Sequence, residues 1–154
     1  MRDMARILVV DDDESIRTVF RVNLEKQGYF VDTAEDGAGA IRLIRDGYYN
    51  LALIDIRLPD MDGIELLDII DEELPGMVKI IVTGFPSLQN AIEAVNRGAD
   101  GYILKPVKIE TLLEIIEVHL SRQERERYGE DRVSDYIDAR TRELKNQMKF
   151  YEPI

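Results

Sequence analysis

The sequence contains no cysteine, which excludes disulfides, thiolate metal sites and a cysteine nucleophile. Its one histidine, His119, leaves too few imidazoles for a zinc enzyme or a histidine-dependent hydrolase. No apolar run approaches the roughly 20 residues of a membrane span, and the N-terminus lacks a signal-peptide pattern. A cytoplasmic protein without a membrane partner is expected. Positive charge is also short: 20 basic residues face 31 acidic ones, for a net charge of −11. Residues 121–154 hold eight groups of each sign, so the whole excess lies in the first 120. Such a surface should avoid direct contact with nucleic acid. Apolar residues nevertheless make up 45 % of the 154 positions, enough to build one globular domain.

Five short apolar runs recur at near-regular spacing: Arg6–Val10, Phe30–Ala34, Leu51–Ile54, Val78–Val82 and Gly101–Leu104. Four are dense in Val, Ile and Leu without polar alternation, the pattern of strands buried on both faces. Helical stripes lie between and after them. Ile16, Phe20 and Leu24 form the first, Ile41 and Ile44 part of the second, and Ile64, Leu67 and Ile70 the third. Ala91, Ile92 and Val95 make the fourth, and Ile109, Leu112, Leu113, Ile116 and Leu120 the fifth. Gly28 and Gly98 fit helix C-termini, and four Asp-Gly dipeptides fit turns. The pattern predicts an α/β fold: a doubly wound, five-stranded parallel sheet of flavodoxin-like order 2-1-3-4-5, with helices on both faces. Ligands of such sheets bind beyond the carboxyl ends of strands 1 and 3.

Four of the five strands run into a reactive polar residue. The first leads to Asp11-Asp12-Asp13, the third to Asp55, the fourth to Thr83 and the fifth to Lys105. In the expected order these side chains converge on one crevice. Each alone has a plainer role. An Asp after a strand commonly caps the next helix: Asp11 with Glu14 fits a capping box, and Asp13 could either cap that helix or tune a metal site. One cap explains one Asp, not three facing a fourth. Carboxylates gathered this way repel one another unless a cation intervenes, and oxygen-only ligation suits Mg²⁺. Three carboxylates, one Mg²⁺ and Lys105 are close to neutral. A phosphoryl group on Asp55 would add negative charge that the metal and Lys105 could offset, and Thr83 offers a hydroxyl donor.

Other phosphate chemistries lack their residues. There is no GxxxxGK[ST] loop, and Gly37-Ala38-Gly39 lacks the third glycine of a dinucleotide fingerprint and follows the wrong strand. A haloacid-dehalogenase-type phosphatase would want a second Asp two positions after its nucleophile, where this chain has Arg57.

The segments ILVVDDDESIR (7–17), LALIDIRLPDMDG (51–63), IIVTGFPS (80–87) and GADGYILKPV (98–107) together resemble the receiver domain of two-component response regulators, over about residues 4–121. The resemblance implies a phosphorelay protein, not a turnover enzyme. Asp55 would take phosphate from the phosphohistidine of a sensor histidine kinase or phosphotransfer protein, and its release would be slow. Asp12 would ligate Mg²⁺ directly, Asp11 mainly through water, and Asp55 and the backbone carbonyl of Arg57 would complete the protein ligands. Thr83 and Lys105 would grip the phosphoryl group, and Lys105–Pro106 would be a cis peptide. Tyr102 matches the aromatic that turns as Thr83 moves. That movement would remodel the face formed by the fourth helix, fifth strand and fifth helix. This face could also carry a homodimer, with Ile115 and Val118 lining it.

The expected organisation is therefore a receiver unit over 1–121 and a charged helical extension or linker over 122–154, too short for an output domain. Ile137, Leu144 and Tyr151 lie seven apart, with Met148 between and a helix break near Gly129, a sparse coiled-coil seam at most. His119 fits a surface position. The competing readings are a constitutive interaction module with a vestigial phosphosite and a turnover phosphatase.

Overall fold

Strands made of consecutive Val, Ile and Leu have two apolar faces, and both must be covered. In the computed structural model, which describes residues 5–128 and 140–144, they are. The chain divides into two compact units, Met1–Leu120 and Ser121–Ile154. The first contains β1 (Arg6–Val10), α1 (Glu14–Lys26), β2 (Phe30–Ala34), α2 (Gly37–Asp46), β3 (Leu51–Ile54) and α3 (Gly63–Glu73), then β4 (Val78–Thr83), α4 (Leu88–Asn96), β5 (Gly101–Leu104) and most of α5 (Ile109–Tyr128). All strand pairs are parallel, in the order β2-β1-β3-β4-β5. In the second unit, residues 140–144 are helical and exposed, with an Arg140–Glu143 ion pair at 2.9 Å. Gly129, Ile137, Met148 and Tyr151, on which the proposed break and heptad seam rest, lie outside the described residues.

Alternate strand residues feed two cores. Leu8, Val10, Ala52, Ile54 and Ile81 pack with α2, α3 and Ala94 of α4. Ile7, Val9, Leu51, Leu53, Ile80 and Val82 pack with Phe20 and Leu24 of α1 and with Leu112, Ile116 and Leu120 of α5. Each fully buried Ile or Leu contributes roughly 1.5–3 kcal/mol. The predicted strands therefore stand, except that β4 runs one residue further and includes Thr83. The edge strands β2 and β5 are only partly buried.

Helix ends follow local chemistry. Asp13, Asp36, Asp62 and Ser87 accept backbone N–H groups at the starts of α1 to α4, each such cap contributing about 1 kcal/mol. Gly28 follows α1 at φ 93°, the left-handed conformation that glycine adopts without penalty. Its N–H donates to Glu25 and that of Tyr29 to Leu24, the paired bonds that close a Schellman turn.

One predicted stripe faces outward. Only Ala94 of α4 is buried, while Ile92 and Val95 are 52 % and 64 % exposed. The helix that the Ala91, Ile92 and Val95 stripe predicts is present, but the described residues leave Ile92 and Val95 uncovered. Periodicity shows that a helix has an apolar side, but not that this chain covers it.

Candidate functional site

The parallel register places the strand ends side by side. Val10 pairs with Ile54, and Thr83 with Leu104. Asp55 N–H donates to the Val10 carbonyl at 2.9 Å, and Lys105 N–H to that of Thr83 at 2.8 Å. Asp11, Asp55, Thr83 and Lys105 thus follow one another across the C-terminal edge of the sheet.

Asp11, Asp55 and Thr83 are buried, whereas Asp12 is exposed. One carboxylate oxygen each from Asp11, Asp12 and Asp55 lies within 4.8 Å of the others. Among the described residues no other group of three His, Asp or Glu side chains is arranged to hold a metal ion. The donors are all hard oxygens, which fits a small divalent cation and not a soft metal.

Lys105 closes the cluster from the β5 side. Its Nζ donates to Asp11 Oδ2 at 2.6 Å and to Asp55 Oδ2 at 3.1 Å. Burial pushes the Asp11 carboxyl above its ordinary range, against the opposing pull of Lys105. For Lys105 burial acts downward, but the hydrogen bonds and charges of Asp11 and Asp55 outweigh it and raise the ammonium. Two buried carboxylates share one lysine, and the deficit is what a divalent cation would relieve. The Lys105–Pro106 peptide is cis.

Thr83 is fully buried, and its Oγ accepts the N–H of Phe85 at 3.1 Å. Tyr102 packs partly buried against the α2–α4 core, and its hydroxyl is buried without a hydrogen-bond partner among the described residues. Arg57 lies in the β3–α3 loop, where its N–H approaches Asp55 Oδ1 at 3.4 Å. Its guanidinium stacks over the Phe85 ring, 3.8 Å from the centroid, a cation–π contact joining the loops after β3 and β4. His119 is half-buried, not a free surface residue.

Two features escaped the sequence reading, and the choice it left open for the cap of α1 falls on Asp13. Asp13, not Asp11, caps α1: its Oδ1 accepts from Ser15 at 2.8 Å and Ile16 at 3.4 Å. Asp11 instead accepts from the N–H of Asp13 at 2.9 Å, so the capping box with Glu14 does not form. Arg17, one α-helical turn along, donates from Nη1 to the Asp11 carbonyl at 2.8 Å. Asp60, in the β3–α3 loop, accepts from Gly37 and Ala38. An Asp following Leu-Pro carries no local signal of so distant a partner.

Fold and site define a flavodoxin-like α/β domain with a cation-ready acidic crevice at its switch point. Residues 7–117 match the family model of the response regulator receiver domain, and the chain belongs to that family. It is 37 % identical over 121 residues to the transcriptional regulatory protein ZraR of Salmonella typhimurium, covering 79 % of this chain and 27 % of ZraR. It thus spans about a quarter of that relative's length. Two solved structures agree throughout the fold. A CheY-like receiver domain from Methanospirillum hungatei has TM-score 0.78 at 46 % identity, covering 80 % of this chain and 98 % of that one. The NtrC4 receiver domain, solved as a beryllofluoride-activated dimer, has TM-score 0.74 at 35 % identity, covering 78 % and 99 %. The chain thus carries the receiver domain of a two-component response regulator. No described helix is long and apolar enough to cross a membrane.

Proposed function

We propose that Asp55 accepts a phosphoryl group from the phosphohistidine of a sensor histidine kinase or phosphotransfer protein. The observation that carries this reading is Lys105 Nζ bridging buried Asp11 and Asp55. A mere ion pair needs one carboxylate; a lysine shared by two, beside a third, suits a site that must neutralise incoming phosphate. Mg²⁺ would be held by Asp11, Asp12, Asp55 and the Arg57 carbonyl, and supplies charge neutralisation for the transferring phosphoryl oxygens.

An Asp55 carboxylate oxygen attacks phosphorus as the P–N bond to the donor imidazole breaks, the bonding pair returning to nitrogen. Lys105 offsets the added charge. The Thr83 hydroxyl donates to a phosphoryl oxygen, giving up its present bond from Phe85. Hydrolysis by water later restores the carboxylate.

Tyr102 then follows Thr83, and the change reaches the α4-β5-α5 face, a local charge event biasing a two-state element. Leu88 is 79 % exposed there, with Ile92, Val95, Leu104 and Val118 also largely bare. Ile115, by contrast, is half-buried against the α5-side core. Exposed apolar side chains on one face favour a partner surface, and a homodimer is the simplest. Residues 122–154 act as a charged extension of the receiver, and the protein works in the cytoplasm without touching nucleic acid through this unit.

Incubation with acetyl phosphate and Mg²⁺ should add the mass of one phosphoryl group, and a chelator should abolish the gain. Uptake that ignores the chelator would remove the metal from the mechanism. No uptake at all would leave a constitutive interaction module. Beryllofluoride with Mg²⁺ should roughly double the mass seen by light scattering at protein concentrations well above the dimer's dissociation constant. An unchanged mass would remove the dimer.

A further inference from the structure

The loop between β3 and α3 holds Asp55 at one end and α3 at the other. Its base is closed on itself: the Gly63 N–H donates to the Ile56 carbonyl at 2.6 Å, and Arg57 bridges Asp62 in antiparallel fashion. That closing bond uses the carbonyl of Ile56 and not that of Arg57. The tip, Leu58 to Met61, reaches away toward α2. Leu58 and Met61 are partly buried against the core, but apolar contact has little directional preference.

Direction comes from Asp60. Its Oδ1 accepts the Gly37 N–H at 2.8 Å and its Oδ2 the Ala38 N–H at 2.9 Å. These are N–H groups at the start of α2, which have no partner within the helix, and the helix dipole favours a carboxylate there. Both oxygens are used, one per donor. The two bonds hold the Asp60 carboxyl below its ordinary range. Gly37 allows the approach: a Cβ there would overlap the Met61 thioether and lie 3.2 Å from Asp60 Oδ1. Asp36 already caps α2 through Gly39 at 2.7 Å, so Asp60 is a second carboxylate at the same helix start, brought from a loop 23 residues away.

We propose that Asp60 is a positioning residue, strapping the β3–α3 loop to the N-terminus of α2 and thereby fixing the Arg57 carbonyl for a divalent cation. This rests on the metal reading given above and extends it to a residue that touches neither metal nor phosphate. The two bonds of Asp60, three residues along, and the Gly63 bond at the base of the loop together restrict the backbone that carries the Arg57 carbonyl. Without the anchor the tip moves about its apolar contacts, and the carbonyl arrives at the cation only part of the time. Supporting groups of this kind typically change metal affinity 10–100-fold.

Calorimetric titration of the full chain with Mg²⁺ tests this. Asp60→Ala should raise the dissociation constant about tenfold, and Asp60→Asn, which keeps one acceptor, about threefold. Gly37→Ala should also raise it about threefold, by pushing Met61 and the loop tip from α2 without removing any charge. That variant separates positioning from simple loss of a negative field. Thermal unfolding in Mg²⁺-free buffer serves as the control. Variants that lose stability yet keep the wild-type Mg²⁺ affinity would overturn the strap and leave the phosphoacceptor reading intact. So would a weakening confined to the two Asp60 variants, which charge alone would explain. Wild-type protein that binds no Mg²⁺ would instead overturn the metal reading and the strap together.

Discussion

Asp55→Asn should take up phosphate from a small donor at less than about one hundredth of the wild-type rate, a loss of at least roughly 2.7 kcal/mol in transition-state stabilisation. The substitution keeps size and shape, and the amide oxygen can still accept from Lys105. It removes only the anionic nucleophile. Positioning by Lys105 and Thr83 then has nothing to act on, because in-line transfer depends on a carboxylate oxygen becoming the new ligand of phosphorus. The same change should stabilise the fold. Asp11, Asp12 and Asp55 present mutually close oxygens against one lysine, so deleting one charge relieves repulsion that exists for function. In Mg²⁺-free buffer the gain should be about 1 kcal/mol by urea denaturation. Added Mg²⁺ should narrow the gap, since the cation stabilises the wild type more. Phosphate uptake equal to wild type would show that another group is the acceptor. A variant less stable than wild type would instead mean that the Lys105–Asp55 bond outweighs the repulsion.

Much of this site was legible because it is built at strand ends. An apolar run gives the strand, the residue after it gives the side chain, and a parallel order brings the ends together. Asp11, Asp55, Thr83 and Lys105 follow from that logic alone, and their register agrees with it. What stayed hidden depends on contacts between loops or on what covers a surface. Asp13 and Asp11 are two residues apart and chemically identical; only the geometry leaving β1 decides which one caps α1. Ile92 and Val95 have helical spacing whether they face a core or a partner, and here they face outward. Arg57 looked relevant through its backbone only, yet its guanidinium lies on Phe85, 28 residues along the chain. Asp60 was hidden for the same reason. A capping side chain is recognisable when it precedes its own helix and silent when it serves another.

Gly63→Ala should destabilise the protein by about 3 kcal/mol, the upper part of the usual range for overpacking. The Asp62-Gly63 dipeptide reads from sequence as a turn, which suggests a glycine needed for backbone freedom. The structure gives a different reason. Gly63 is the first residue of α3, Asp62 is its N-cap, and its φ is not positive. What the position forbids is volume. A Cβ there would overlap the carbonyl oxygen of Asp55 and stand 2.8 Å from its carbonyl carbon and 3.0 Å from Ile54 Cγ2. Two of these neighbours are backbone atoms at the end of a central strand, so no side-chain rotation relieves the clash. Either α3 shifts away, opening the core around Ile64, Leu67 and Ile70, or Asp55 is displaced from Lys105. The first route costs stability and the second costs phosphorylation, so both readouts are needed. Urea denaturation and acetyl phosphate uptake on the same sample should show both losses, with stability falling more than for Gly37→Ala, where the obstructing atoms belong to the Met61 and Asp60 side chains. A loss under about 1 kcal/mol with wild-type phosphorylation would mean that the β3–α3 junction yields easily. The close seat of α3 on the phosphoacceptor's own backbone would then be incidental to how Asp55 is held.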